Sequence, residues 1–150
     1  PEISLQNALY KLENWCTCNG MVVNTSKTKI LLISTRQKRT NLDSDVLSLT
    51  WKDKNLQMVC HDRLLGVLVD NNLSWTGHIK HISKKVKSSL WLLSRIRHFL
   101  HERHRKVFYN SYIQPYLDYS KTVWGNSNDK NIAKLAHLQK RAFGLISVQK

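Results

Sequence analysis

The stretch LSWTGHIKHISKKVKSSLWLLSRIRHFL, residues 73–100, decides how the chain reads. Within it Trp75, Ile79, Ile82, Val86, Leu90 and Leu93 recur at three- and four-residue steps, which places them on one face of an α-helix. Ser74 stands where an N-cap would accept a free backbone N–H. Lys80, Lys84, Lys87 and Arg95 form a second row, displaced by one position from Ile79, Val86 and Leu90. One face can therefore pack on a core while its neighbour offers cations. Between Trp75 and Asn110 there are nine Lys or Arg, five of the seven histidines and one acid, Glu102. Such cations neutralise phosphates and release counterions without reading base sequence. A charge run is commonly a solvated face with no partner, but the near absence of acids favours binding here. Trp75, Trp91, Tyr109 and Tyr112 lie among these cations and could stack on bases. Helical spacing favours the core for Trp75, Tyr109 and Tyr112, whereas Trp91 falls nearer the basic row and stays open between the two roles.

The whole chain shares the bias: 24 Lys+Arg against 10 Asp+Glu give +14 over 150 residues. That surplus suits a polyanion, either nucleic acid or an anionic membrane surface. A 41% hydrophobic content with five tryptophans argues against a disordered chain. No apolar run approaches the roughly 18 residues of a membrane span, so a soluble or peripheral protein is expected. The start at Pro1-Glu2, with no leader peptide, reads as a cut from a longer polypeptide. The odd set Cys16, Cys18 and Cys60 suggests a reducing compartment, with small buried apolar thiols favoured over a metal site at Cys60-His61.

Working outward, the chain alternates in character. Leu5, Ala8, Leu9, Leu12, Trp15 and Cys16 predict a first amphipathic helix, with Ser4 as its cap and Gly20 just past its end. Residues 21–23 and 28–34 read as strands, and 35–45 as an exposed loop. A hairpin is expected from 46–51 and 56–60 around Lys52-Asp53-Lys54-Asn55. Residues 63–70 read as one further strand interrupted by Gly66. Beyond Arg95, a helix from about Glu102 should end or kink at Pro115. A last helix carries Ile132, Leu135, Leu138, Phe143 and Ile146, capped by Asn128 or Asp129. The expected class is α+β, divided as 1–34, 35–71 and a helical 72–150.

Catalytic constellations are weak. Two-metal phosphoryl chemistry needs clustered carboxylates, and only Asp43, Asp45 and Asp53 lie close in sequence, in a loop and a turn. Histidines 78, 81, 98, 101 and 104 include pairs on one helix face, but their lysine-rich surroundings oppose a cation. No Gly-rich phosphate loop is present.

Five phrases resemble the reverse transcriptases of non-LTR (LINE-type, jockey-like) retrotransposons, in that family's order and over nearly the whole chain. Leu12-Glu13-Asn14-Trp15 with Asn19-Gly20-Met21-Val22-Val23-Asn24-Thr25-Ser26-Lys27-Thr28-Lys29 is similar to the helix and strand of motif D. Arg63-Leu64-Leu65-Gly66-Val67-Leu68-Val69-Asp70 resembles motif E, the primer grip. Leu73-Ser74-Trp75 with His78-Ile79 looks like the opening of the thumb. Tyr109-Asn110-Ser111-Tyr112-Ile113-Gln114-Pro115-Tyr116-Leu117-Asp118-Tyr119 with Val123-Trp124-Gly125, and then Leu135 to Arg141, resemble later thumb phrases.

The resemblance implies a partial palm sheet (1–34), a β-hairpin and primer-grip strand (35–71) and an α-helical thumb bundle (72–150) of an RNA-directed DNA polymerase. It implies that Lys27 acts as a general acid on the departing pyrophosphate. Leu65, Gly66 and Val67 would position the primer end. Lys80, Lys84, Lys87, Trp91 and Arg95 would lie along the template–primer duplex. Partners would be an RNA template, a DNA primer, their RNA–DNA hybrid and the remainder of the polypeptide, with no membrane. The setting would be an intracellular ribonucleoprotein, nuclear or cytoplasmic. The family's catalytic Asp residues precede motif D and are not in this sequence. The chain alone is therefore expected to be inactive and to need no cofactor, with Mg2+ belonging to the parent polymerase. The alternative is a stand-alone or domesticated basic nucleic-acid-binding module. A basic helical domain for protein or membrane surfaces is a third reading.

Overall fold

In the computed structural model, which describes residues 2–35, 37, 48–52 and 54–147, the basic stretch forms one long helix followed by a 3-10 turn. The elements in chain order are α1 (Glu2–Cys18), β1 (Lys29–Ile30), β2 (Thr50–Trp51), β3 (Lys54–Asn55), β4 (Gln57–Met58), β5 (His61–Leu64) and β6 (Val67–Asp70). Then come α2 (Thr76–Ile96), the 3-10 turn (Arg97–Phe99), α3 (Glu102–Tyr112), α4 (Gln114–Asp118), α5 (Lys121–Trp124) and α6 (Asp129–Ser147). The class is α+β, helix-rich with short strands. Two compact units arise: Pro1–Asp62 with Asp70–Leu73, and Arg63–Val69 with Ser74–Lys150.

The second unit is built on α2. Ile79, Ile82, Val86, Leu90 and Leu93 are all buried and pack with Tyr109, Ile113, Leu117, Trp124, Leu135, Leu138, Ala142 and Ile146. Each fully buried aliphatic side chain contributes about 1.5–3 kcal/mol. α2 packs most extensively against α6. Asn131 at the start of α6 ties the two first turns together, its Nδ2 donating to Thr76 Oγ1 at 3.2 Å. Asn128 is the cap of α6, accepting the Asn131 N–H at 2.9 Å. Asp129 then lies in the first turn, where a carboxylate complements the helix dipole.

α2 starts one residue later than a Ser74 cap predicts. Trp75 takes the N-cap position with a left-handed backbone, φ 59, which turns its indole into the core. Ser74 Oγ instead accepts the Thr76 N–H at 3.4 Å. Pro115 falls at the start of α4, after a break at Ile113, because proline has no N–H to continue the α3 ladder.

The run 63–70 is not one strand. It folds back as the β5–β6 hairpin through a two-residue turn, Leu65-Gly66, with φ 47 and 86. Positive φ at both positions is the signature of a type I′ turn, whose twist matches that of paired strands. Leucine adopts this conformation at a cost, offset here by Tyr119, whose hydroxyl donates to the Leu65 carbonyl. A Cβ built on Gly66 would meet the Tyr119 ring at 3.5 Å, an ordinary contact. Gly66→Ala should therefore cost only backbone strain, about 1–2 kcal/mol, read as a shift in the urea midpoint. A larger loss would mean that the ring contact is tighter than it looks.

The first unit is sparser. α1 begins at Glu2, so Ser4 lies inside its first turn rather than capping it. Its end is the expected one: Gly20 has φ 65, and the Met21 and Gly20 N–H groups return to Cys16 O at 2.8 Å and Thr17 O at 3.1 Å. Residues 21–23 are not a strand. Val22 is 94% exposed, and the segment has no ladder partner. The expected strand 28–34 shortens to β1, which pairs in parallel with β4, Lys29 opposite Gln57 and Ile30 opposite Met58. Lys54 and Asn55, expected in a turn, instead pair with Trp51 and Thr50. The loop expected at 35–45 lies mostly outside the described residues.

α1 also completes a strand edge. The Gln6 carboxamide donates to Thr50 O and accepts from Thr50 N–H, both at 3.0 Å. Glu2 accepts the Ser48 N–H at 2.9 Å. The apolar row of α1 is nevertheless largely bare. Cys16 is buried, but Leu5, Leu12 and Trp15 remain 46%, 47% and 56% exposed.

Candidate nucleic-acid interface

At 3.6 residues per turn, Lys80, Lys84, Lys87, Trp91 and Arg95 keep within an arc of about 80° and span about 22 Å of α2. All five are exposed. Arg95 lies over the Trp91 ring, 5.3 Å from its centroid, and Trp91 is 60% exposed. That pair presents a flat cationic surface on which a base or sugar can stack.

Lys80, Lys84 and Lys87 also line a groove of about 470 Å3 with Gly77, His81 and Ser83 of α2 and Lys134 of α6. No carboxylate is among those lining residues, so the groove itself offers four ammonium groups and no acid. Gly77 lets the first turn of α2 approach β6, for a Cβ there would stand 3.0 Å from Leu68 Cδ2.

Lys134 is a residue that the sequence reading passed over. A signal existed: Lys130, Lys134, His137 and Arg141 repeat the four-and-three spacing of α2, each one position before Asn131, Leu135, Leu138 and Ala142. All four are exposed. Conversely, one counted cation is internal. Arg105 is 8% exposed and donates from Nη1 to the Leu145 carbonyl of α6 at 3.3 Å.

His78 sits at the base of this region, 3% exposed. Its Nδ1 accepts the Leu68 N–H at 3.2 Å, so the neutral ring carries its proton on Nε2. Burial, then the charges of His81 and Arg63, hold its pKa below the ordinary value. The unfolded chain therefore takes up this proton more readily than the folded one. Stability from this group is complete above about pH 6.5 and falls as pH drops below it. His78→Gln keeps an acceptor for Leu68, and its unfolding midpoint should fall less steeply between pH 7.5 and 5 than the parent's. An identical pH profile would remove His78 as the cause.

The residues matched to the primer grip are parted by the turn. Leu65 is 84% exposed at its tip, Gly66 packs on Tyr119, and Val67 is 6% exposed within the core, out of reach of a ligand. Lys27 belongs to the first unit, exposed in a turn that Asn24 organises by accepting the Lys27 N–H at 3.1 Å. Tyr109 and Trp75 are buried, as their spacing suggests. Tyr112, also expected in the core, is 58% exposed at the C-terminal end of α3, where its ring stacks on Phe108 at 4.8 Å. Cys18 and Cys60 are exposed, against the expectation of buried thiols. Only Cys16 is buried.

Four of the described carboxylates have polar partners within the chain. Glu13 pairs with Lys52 at 3.9 Å, Asp62 with Lys29 at 3.2 Å and Glu102 with Lys106 at 2.6 Å, while Asp118 accepts from Gln114 at 2.6 Å. Among the described residues no three His, Cys, Asp or Glu side chains gather as a metal site. Asp43, Asp45 and Asp53 lie outside those residues. No described helix is long and apolar enough to cross a membrane. In comparisons with known proteins, no family model, no curated protein and no solved structure matches the chain.

Proposed function

We propose that the helical unit is a nucleic-acid-binding module that reads the sugar–phosphate backbone rather than bases. More particularly, we propose that the chain is the palm-edge, primer-grip and thumb portion of an RNA-directed DNA polymerase of the non-LTR retrotransposon type. The observation that carries the first step is the groove where Lys80, Lys84 and Lys87 of one helix meet Lys134 of another with no acid in the lining. The second step rests on the five phrases in family order.

In this reading α2 is the thumb helix, and its cations hold successive phosphates of an RNA template paired with a DNA primer. The Leu65-Gly66 turn is the primer-grip tip, and Lys27 assists the leaving pyrophosphate. The nucleotidyl-transfer carboxylates and their metal belong, by the family's order of motifs, to the remainder of the polypeptide. The bare apolar side chains of α1, Leu5, Leu12 and Trp15, support a polypeptide neighbour for the first unit. The enzyme would work in a nuclear or cytoplasmic ribonucleoprotein.

Fluorescence anisotropy with an RNA–DNA hybrid tests the reading. Affinity should fall as salt rises from 50 to 200 mM, with a log–log slope of about −4 for four or five phosphate contacts. The chain alone should not extend a primer. Salt-independent binding, or equal binding to anionic vesicles, would sink the proposal.

A further inference from the structure

His81 lines two cavities, the lysine groove and a pocket of about 300 Å3 whose other walls are Gly66, His78, Ile82, Pro115, Tyr116 and Tyr119. The two differ in chemistry. The groove is cationic. The pocket is walled by two tyrosine rings, a proline and an isoleucine, the flat apolar surface against which a planar ring packs.

One residue lining each cavity also carries a buried polar atom with no hydrogen-bond partner. In the groove it is Ser83 Oγ, on a residue 2% exposed. In the pocket it is His78 Nε2, on a residue 3% exposed. Buried polar groups are nearly always satisfied, so two orphans on residues that line adjoining cavities suit a ligand that reaches them from the cavity side. Their roles differ too. Because His78 Nδ1 is taken by Leu68, its Nε2 can only donate, which suits a ring carbonyl or ring nitrogen. The Ser83 hydroxyl can donate to a phosphate oxygen beside the lysines.

We propose that the pocket receives one unpaired nucleobase, stacked on Tyr116 and Tyr119 and bonded by His78, while the phosphates flanking that nucleotide lie in the lysine groove. The inference rests on the backbone-binding reading above and adds a ligand class to it: a nucleotide outside the base stack. A paired base cannot enter, since its faces and its edge are already occupied within the duplex. The module should therefore prefer a hybrid with a one-nucleotide bulge to a blunt hybrid of equal length. Base-stacking energies make that preference about tenfold.

The experiment compares blunt and bulged RNA–DNA hybrids on the full chain and on Tyr116→Ser, a change at a residue 40% exposed. The parent should favour the bulge and the variant should bind both hybrids alike. A 5-iodouridine placed in the bulge should photo-crosslink to residues 66–82 or 115–119. Equal parental affinities, or a crosslink mapping elsewhere, would overturn the pocket and leave the groove standing. A preference that survives Tyr116→Ser would likewise overturn it. Absence of salt-sensitive binding to either hybrid would overturn the groove as well.

Discussion

Lys80→Glu combined with Lys84→Glu should weaken binding to every hybrid or duplex, whatever its sequence, on the order of a hundredfold. A charge-assisted contact is worth about 1.5–3 kcal/mol, and reversal replaces two attractions with repulsions. The salt slope should also flatten by about two, since about one counterion is released per phosphate contact. Both lysines are exposed, so circular dichroism should be unchanged. Adding Lys134→Glu distinguishes a groove from a stripe. If α6 contributes to the same site, a further drop of about tenfold and one more unit of slope should follow. If the third substitution is silent, α2 binds alone. Unchanged affinity in the double variant would reduce the whole row to a solvated face.

A comparably large effect is expected on stability from Trp124→Ala. This ring is 2% exposed, its N–H donates to the Tyr119 carbonyl at 2.9 Å, and it meets His78 edge-on at 6.1 Å. Removing a buried aromatic costs about 3–5 kcal/mol, a large part of the 5–15 kcal/mol that holds a typical domain together. Urea unfolding followed by far-UV circular dichroism should show the helical unit melting much earlier. Trp124→Phe should recover most of that loss, short of the share owed to the unpaired Tyr119 carbonyl. If both variants unfold at the parental midpoint, the indole is not part of the core that positions the pocket.

The helices were legible because a pattern repeated over about three or four turns is hard to mistake. Ile79 to Leu93 marks α2, and Leu135 to Ile146 marks α6. Their ends were less so, since Trp75 starts α2 through a backbone bend that propensity does not encode. The β5–β6 hairpin was missed for a definite reason. Six consecutive apolar or glycine residues, 64–69, look like one buried strand, and Leu65-Gly66 lacks the Asn or Asp that usually announces a two-residue turn. The short strands at 29–30 and 57–58 depend on a non-local parallel pairing, which no local pattern reveals.

The candidate site was half visible. The α2 row could be read from charge and period. The contribution of Lys134 could not, because which faces of two helices oppose each other is decided by core packing. Ser83 looked like an unremarkable helix residue, and His78 stood out only in the histidine set and the thumb-like phrase. What sets them apart is one buried polar atom each, Ser83 Oγ and His78 Nε2, with no hydrogen-bond partner.

Gln6 illustrates a constraint of another kind. It lies on a partly solvated helix, where almost any long polar residue would ordinarily do. Yet it answers both the N–H and the C=O of Thr50, and a carboxamide of this length gives from its nitrogen and receives at its neighbouring oxygen. Glutamate would repel the carbonyl, lysine would ignore the amide, and asparagine would fall one methylene short. Mutational drift at this position should therefore be as narrow as at a core site, although the residue is neither apolar nor fully enclosed.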